Sequence, residues 1–182
     1  MFKKKWIILL LFFAISLFVS KQHLVVAFQV DGSSMLPNFH NGDQVLLNKL
    51  AYDFQPPKYG DVIIFQSPDM NDQYLIKRVI GLPGDTIEVN NSQVIRNGVP
   101  LLENYLLEPM IDYMEITYVP DGSVFVMGDN RNISLDSRNS HIGPVYQSLI
   151  LGRVDYKYQI NGTAQAWEAT PHLQPLEELP TH

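Results

Sequence analysis

From Leu24 onward the chain runs in short stretches of β-branched and aromatic residues cut by turn residues, the pattern of an all-β domain. Strands are predicted at 24–30, 44–48, 61–65, 74–80, 86–89, 93–96, 115–118, 123–127 and 151–158. Helical periodicity is absent from most of this region. Asn41-Gly42-Asp43, Pro56-Pro57, Pro83-Gly84-Asp85, Asn97-Gly98 and Asp121-Gly122 supply turns, and residues 89–94 read as a hairpin around Asn90-Asn91. There is no internal repeat and no low-complexity tract.

Upstream of the β pattern, residues 6–20 form an uncharged apolar run bracketed by Lys3-Lys4-Lys5 and Lys21. As a helix this run would reach roughly 22 Å. It would cross a hydrocarbon core of roughly 30 Å only with snorkelling lysines and local thinning. Two readings stand side by side. A retained anchor would leave the three lysines cytoplasmic and carry the remainder across the bilayer. A cleavable signal would use the same basic and apolar regions, with small residues at Ala14-Ile15-Ser16 for a cut. The anchor reading divides the chain into a cytoplasmic N-terminus (1–5), a transmembrane segment (6–20), an extracytoplasmic β domain (21–160) and an exposed tail (161–182). Pro171, Pro175 and Pro180 with scattered glutamates mark that tail.

At 182 residues the chain has room for one compact domain plus an anchor. The absence of cysteine excludes disulfides, thiol nucleophiles and cysteine metal sites. Net charge is −6, and with Lys3, Lys4 and Lys5 set aside the body is more acidic still. An acidic body lacking a basic stripe argues against a nucleic-acid partner. No group of His, Asp and Glu has ligand spacing, so no metal or other cofactor is expected.

Three segments carry the candidate chemistry. Ser34 stands in Gly32-Ser33-Ser34-Met35-Leu36-Pro37, where Pro37 biases Leu36 toward extended backbone. A serine on such a turn can offer its own N–H to an oxyanion, worth roughly 2.7–4 kcal/mol of barrier when well placed. Taken alone, Ser34 also reads as an ordinary loop serine. Lys77 lies in the strand 74–80, where alternation puts Leu75, Lys77 and Val79 on one face. A lysine between two apolar neighbours is a candidate for burial, which disfavours the ammonium and lowers its pKa. A solvated strand lysine is the plainer reading. In the third segment, residues 128–138, Ser134 would support the lysine amine while Asp136 and Arg138 pair and fix the loop. A solvated, Asx-rich loop accounts for the same residues.

Taken together, Ser34-Met35-Leu36-Pro37, Gly60-Asp61-Val62-Ile63-Ile64-Phe65, residues 74–85 and residues 128–138 resemble the type I signal peptidase family. They occur in the family's order behind an N-terminal anchor, over roughly residues 3–158. The resemblance implies a mainly β, antiparallel, barrel-like catalytic domain with one N-terminal transmembrane helix. It implies a membrane-bound serine endopeptidase that removes signal peptides from exported preproteins, cutting after small residues at the first and third positions. Ser34 would be the nucleophile, Lys77 the general base, and Ser134, Asp136 and Arg138 the lysine support and structural frame. No cofactor is implied. The implied location is the outer face of a bacterial cell membrane, with preproteins, the lipid bilayer and the secretion machinery as partners.

Val30, Met35 and Leu75 are expected to line pockets for a substrate bound by strand addition. Asn38 stands where the family usually has threonine. Gly32 replaces a serine that in some members assists the oxyanion hole, which leaves the second donor unassigned. Ile133 and Leu135 are more apolar than this loop often is and are expected to pack inward. Because Ser34 follows Lys21 closely, a retained anchor would hold it near the bilayer surface. A Ser-His-Asp arrangement using His40 or His141 is the enzymatic rival, although neither histidine sits in a motif that aims it at Ser34.

Overall fold

The computed structural model describes residues 25–69 and 73–158, with Trp6 and two short segments near the C-terminus. In chain order the strands are β1 (Val25–Gln29), β2 (Gln44–Asn48), β3 (Val62–Gln66), β4 (Tyr74–Gly81), β5 (Thr86–Asn90) and β6 (Gln93–Arg96). They continue with β7 (Val99–Leu102), β8 (Met114–Tyr118), β9 (Ser123–Met127), β10 (Val145–Tyr146), β11 (Ile150–Tyr158), β12 (Ala164–Ala166) and β13 (Gln174–Pro175). One sheet has the order β1-β2-β11-β3-β4-β9-β10, with β12 paired to β11. The other has the order β13-β7-β6-β5-β8. Every pairing is antiparallel, as the mainly β reading requires.

Burial explains which strands alternate and which do not. In β3, Val62 and Ile64 pack with Val30, Met35, Phe39, Val45 and Leu47, whereas Ile63 and Phe65 pack with Val79, Val124 and Val126. A strand covered on both faces reads as a continuous apolar run. β9 does the same, with Phe125 and Met127 reaching a third cluster built on Ile80, Ile87, Val89 and Val94. By contrast β5 alternates buried and half-buried positions. The expected hairpin at 89–94 forms, with Asn91 and Ser92 connecting β5 to β6, and the turn at Asn97 and Gly98 makes a second, unexpected hairpin from β6 to β7, all four residues with positive φ. That is the backbone a tight two-residue hairpin turn demands.

Four strands were not expected from the sequence: β7, β10, β12 and β13. Two of them fall in or beside the segment read as a tail, since β12 pairs with β11 and β13 with β7. Among the described residues no helix is long and apolar enough to cross a membrane. The expected anchor at 6–20 lies, apart from Trp6, outside the described residues.

Candidate active site

Ser34 is held in a turn between β1 and β2. The strand pair narrows above the turn, with Val30 N–H donating to Asp43 O and Gly42 N–H to Val30 O, both at 2.8 Å. Gly32 has a φ of 91°, a conformation that glycine adopts without steric cost. Its N–H is taken by Asn41 Oδ1 at 2.9 Å, so it is not free for an oxyanion. Beyond Ser34, Met35 and Phe39 turn into the core. Lys157, itself buried, donates to Asn38 O at 2.7 Å and pairs with Asp43 at 3.2 Å.

The opposite wall comes from β4 and the loop after β9. Lys77 is 2% exposed, and its Nζ lies 2.8 Å from Ser34 Oγ and 2.9 Å from the carbonyl oxygen of Ile76. Burial is the dominant influence on the amine. Asp136 and Asp129 push its pKa upward and Arg138 pushes it downward, and the balance is a fall to about 8. A neutral amine that donates to Ile76 O keeps its lone pair for the Ser34 hydroxyl proton. The arrangement can therefore generate a nucleophilic oxygen near neutral pH.

The loop after β9 locks the two walls together. Asn130 N–H donates to Ser34 O at 2.9 Å, and its side-chain amide donates to Ser33 O at 3.3 Å. A Cβ on Gly128 would overlap both the Ser34 carbonyl oxygen and the Ser134 side chain. Only glycine fits there. Asp136 receives Gly128 N–H at 2.9 Å and a two-pronged contact from Arg138 at 2.9 and 2.8 Å. Burial would raise that carboxyl, but the Arg138 contacts and the Gly128 N–H hold it below its ordinary value. Arg138 reaches on to Asp112 and to Arg131 O. Ser134 Oγ is buried and makes no hydrogen bond of ordinary geometry, though it lies near enough to Asp136 to help lower that carboxyl. Its expected bond to Lys77 is not among those the amine makes.

Behind this frame lies a pair that sequence reading missed. Arg78 and Asp129, both fully buried, meet through two bonds of 2.7 Å. The Arg78 guanidinium also donates to Gly60 O and covers the Tyr105 ring. Asn38 donates to Asp129 at 2.8 Å and to Tyr105 O at 2.9 Å, which ties the Ser34 turn to the same network.

The cleft over Ser34 and Lys77 has a volume of about 270 Å³. Val30 and Leu75 line it as expected, with Phe28, Val45, Ile64 and Ile76 completing its apolar floor. Met35 does not line it. The bond from Phe39 N–H to Met35 O at 2.9 Å closes a turn that sends Met35 into the core below. The missed Phe28 carried a readable signal, since it alternates with Val30 along β1.

The sequence matches the family described as "Signal peptidase, peptidase S26" over residues 3–159. The chain belongs to that family. It is 44% identical over 137 residues to the probable signal peptidase I-1 of Synechocystis, an alignment covering 71% of this chain and 68% of the relative. Signal peptidase I V of Bacillus subtilis is 36% identical over 146 residues, covering 72% of this chain and 84% of that protein. Thylakoidal processing peptidase 1 of Arabidopsis thaliana is 37% identical over 139 residues, covering 71% of this chain and 40% of that longer protein.

Where this S26 member departs from the family's commonest residues, the structure gives the local consequence. Asn38 supplies two donors to the Asp129 network. Gly32 does not contribute a second oxyanion donor, because it has no side chain and its N–H is already bonded. Ile133 and Leu135 do not pack inward: they are 59% and 37% exposed, because Ser134 Oγ and Asp136 occupy the inward positions beside Gly128. His40 and His141 lie mostly exposed beside Asp43 and Asp69. Neither lines the cleft, which leaves the Ser-His-Asp rival without geometry. Among the described residues there is no group of His, Asp and Glu able to hold a metal.

Proposed function

We propose that this protein is a serine endopeptidase that removes signal peptides from exported preproteins. Ser34 acts as nucleophile and Lys77 as general base. The 2.8 Å separation of a buried lysine amine from a serine hydroxyl carries the reading, and relatives named signal peptidase I support it. Neutral Lys77 takes the hydroxyl proton as Ser34 Oγ attacks the scissile carbonyl, giving a tetrahedral oxyanion beside the Ser34 N–H. The protonated amine then gives its proton to the leaving amine, and the acyl-enzyme forms. Lys77 next activates water, which releases the acid and restores the hydroxyl. Asp136 and Arg138 frame the loop, and Ser134 fills the space beside Gly128 and Asp136 rather than bonding the lysine.

Residues 6–20 anchor the chain in a bacterial membrane, with residues 1–5 cytoplasmic and the β domain on the outer side. Preproteins emerging there from the secretion machinery are its substrates, and the bilayer its second partner. Incubating the full chain with a preprotein in detergent and mapping the new N-terminus tests this. A cut behind small residues at the first and third positions is expected, lost in Ser34→Ala and in Lys77→Arg, whose guanidinium stays protonated. Unchanged cleavage by either variant would refute the assignment.

A further inference from the structure

The cleft wall carries one charge that the chemistry above leaves unused. Phe28, Gln29, Val30 and Asp31 all line the cleft in succession. Among the described residues β1 is the outermost strand of its sheet and pairs only with β2, which leaves its other edge for an added strand. Along this edge the side chains alternate. Phe28 is half-buried and Val30 buried, while Gln29 and Asp31 are exposed. Phe28 and Val30 join Val45, Ile64 and Ile76 in the apolar part of the cleft.

A substrate strand laid on this edge shares its pleat. Its first and third residues before the cut enter the apolar side with Phe28 and Val30. The second residue points to the outer side, beside Gln29 and Asp31. Asp31 has no ion-pair or hydrogen-bond partner among the described residues. Apart from Lys77, which works as the neutral amine, and the Tyr74 phenol, it is the one ionisable group among the described residues that line the cleft. On this geometry, and resting on the proposed peptidase function, we infer that Asp31 makes the second residue before the cut a selected position. Lysine or arginine is favoured there, and aspartate or glutamate disfavoured.

The size of the effect follows from exposure. A carboxylate roughly 6–7 Å from a substrate charge in water separates lysine from glutamate by about fivefold to tenfold in kcat/KM at low salt. Raising salt to about 0.5 M should cut that ratio to about twofold or less.

The test uses the full chain in detergent with three preproteins that differ only at the second position before the cut, carrying Lys, Ala or Glu. Each rate is divided by that enzyme's own rate on the Ala substrate. For the unsubstituted protein the order Lys, Ala, Glu is expected. Asp31→Asn should collapse the Lys-to-Glu ratio toward one, and Asp31→Lys should reverse the order. Equal rates on all three substrates, or a ratio that survives in both variants, would overturn the inference while leaving the peptidase reading intact. Failure to cleave even the Ala substrate would overturn both.

Discussion

Lys77 is the residue on which chemistry and stability pull in opposite directions. Its amine is held near 8 rather than the ordinary 10.5, chiefly by burial. Only the neutral form can accept the Ser34 proton, so kcat/KM should rise with pH through a midpoint near 8 and then level off. A stopped assay on a preprotein across pH 6–10 measures this. The same depression means that the folded state binds fewer protons than the unfolded chain between pH 8 and 10.5. Stability from this group is therefore lowest below pH 8 and recovers as pH rises through that window. Lys77→Met removes the buried charge at pH 7 and should stabilise the fold by about 1–3 kcal/mol while abolishing cleavage. Urea titrations of both proteins at pH 7 provide the comparison. The segments bearing Ser34 and Lys77 were readable because each side chain sits among neighbours that dictate its setting: glycine and proline around the serine, alternating apolar residues around the lysine.

At the scale of elements, the site depends on a contact that no local pattern announces. β4 and β9 lie side by side, with Arg78 opposite Met127, and this adjacency brings Arg78 to Asp129. Sequence shows two charged residues far apart. Only the strand order makes them a pair. Asp129→Asn would leave Arg78 buried without its full countercharge, and a loss of about 3–5 kcal/mol is expected by chemical denaturation. Gly128→Ala should act differently. Its methyl group would push on the Ser34 carbonyl and on Ser134, and a shift of about 1 Å in the reacting oxygen costs about 100-fold in rate. Steady-state assays should show that loss in kcat, and the urea midpoint should fall as well, because the clash falls on backbone and on a buried side chain. The same logic explains which strands were legible. Those with alternating or continuous apolar runs were read correctly to within a residue or so. β7 was hidden by Pro100, which demotes a run to an edge or a loop, and β10 is too short to carry a pattern.

For the molecule as a whole, two antiparallel sheets build the β domain, and in the sequence a short apolar run precedes it. The β class was plain in the turn spacing. The arrangement of the two sheets was not, because it depends on pairings between distant strands such as β11 with β2 and β3. If residues 6–20 tether the domain, the full chain should cosediment with lipid vesicles and a chain starting at Lys21 should not. Cleavage of a vesicle-inserted preprotein should then fall by about 100-fold or more on truncation, from lost effective concentration. A truncated chain that still sediments and cleaves equally would remove the tether from the account. The most direct test of the central claim is a titration of the Lys77 side chain itself in the intact protein, followed by NMR of selectively labelled lysine. A midpoint near 8 is the expected result, and an amine that titrates near 10.5 like a solvated lysine would contradict the account.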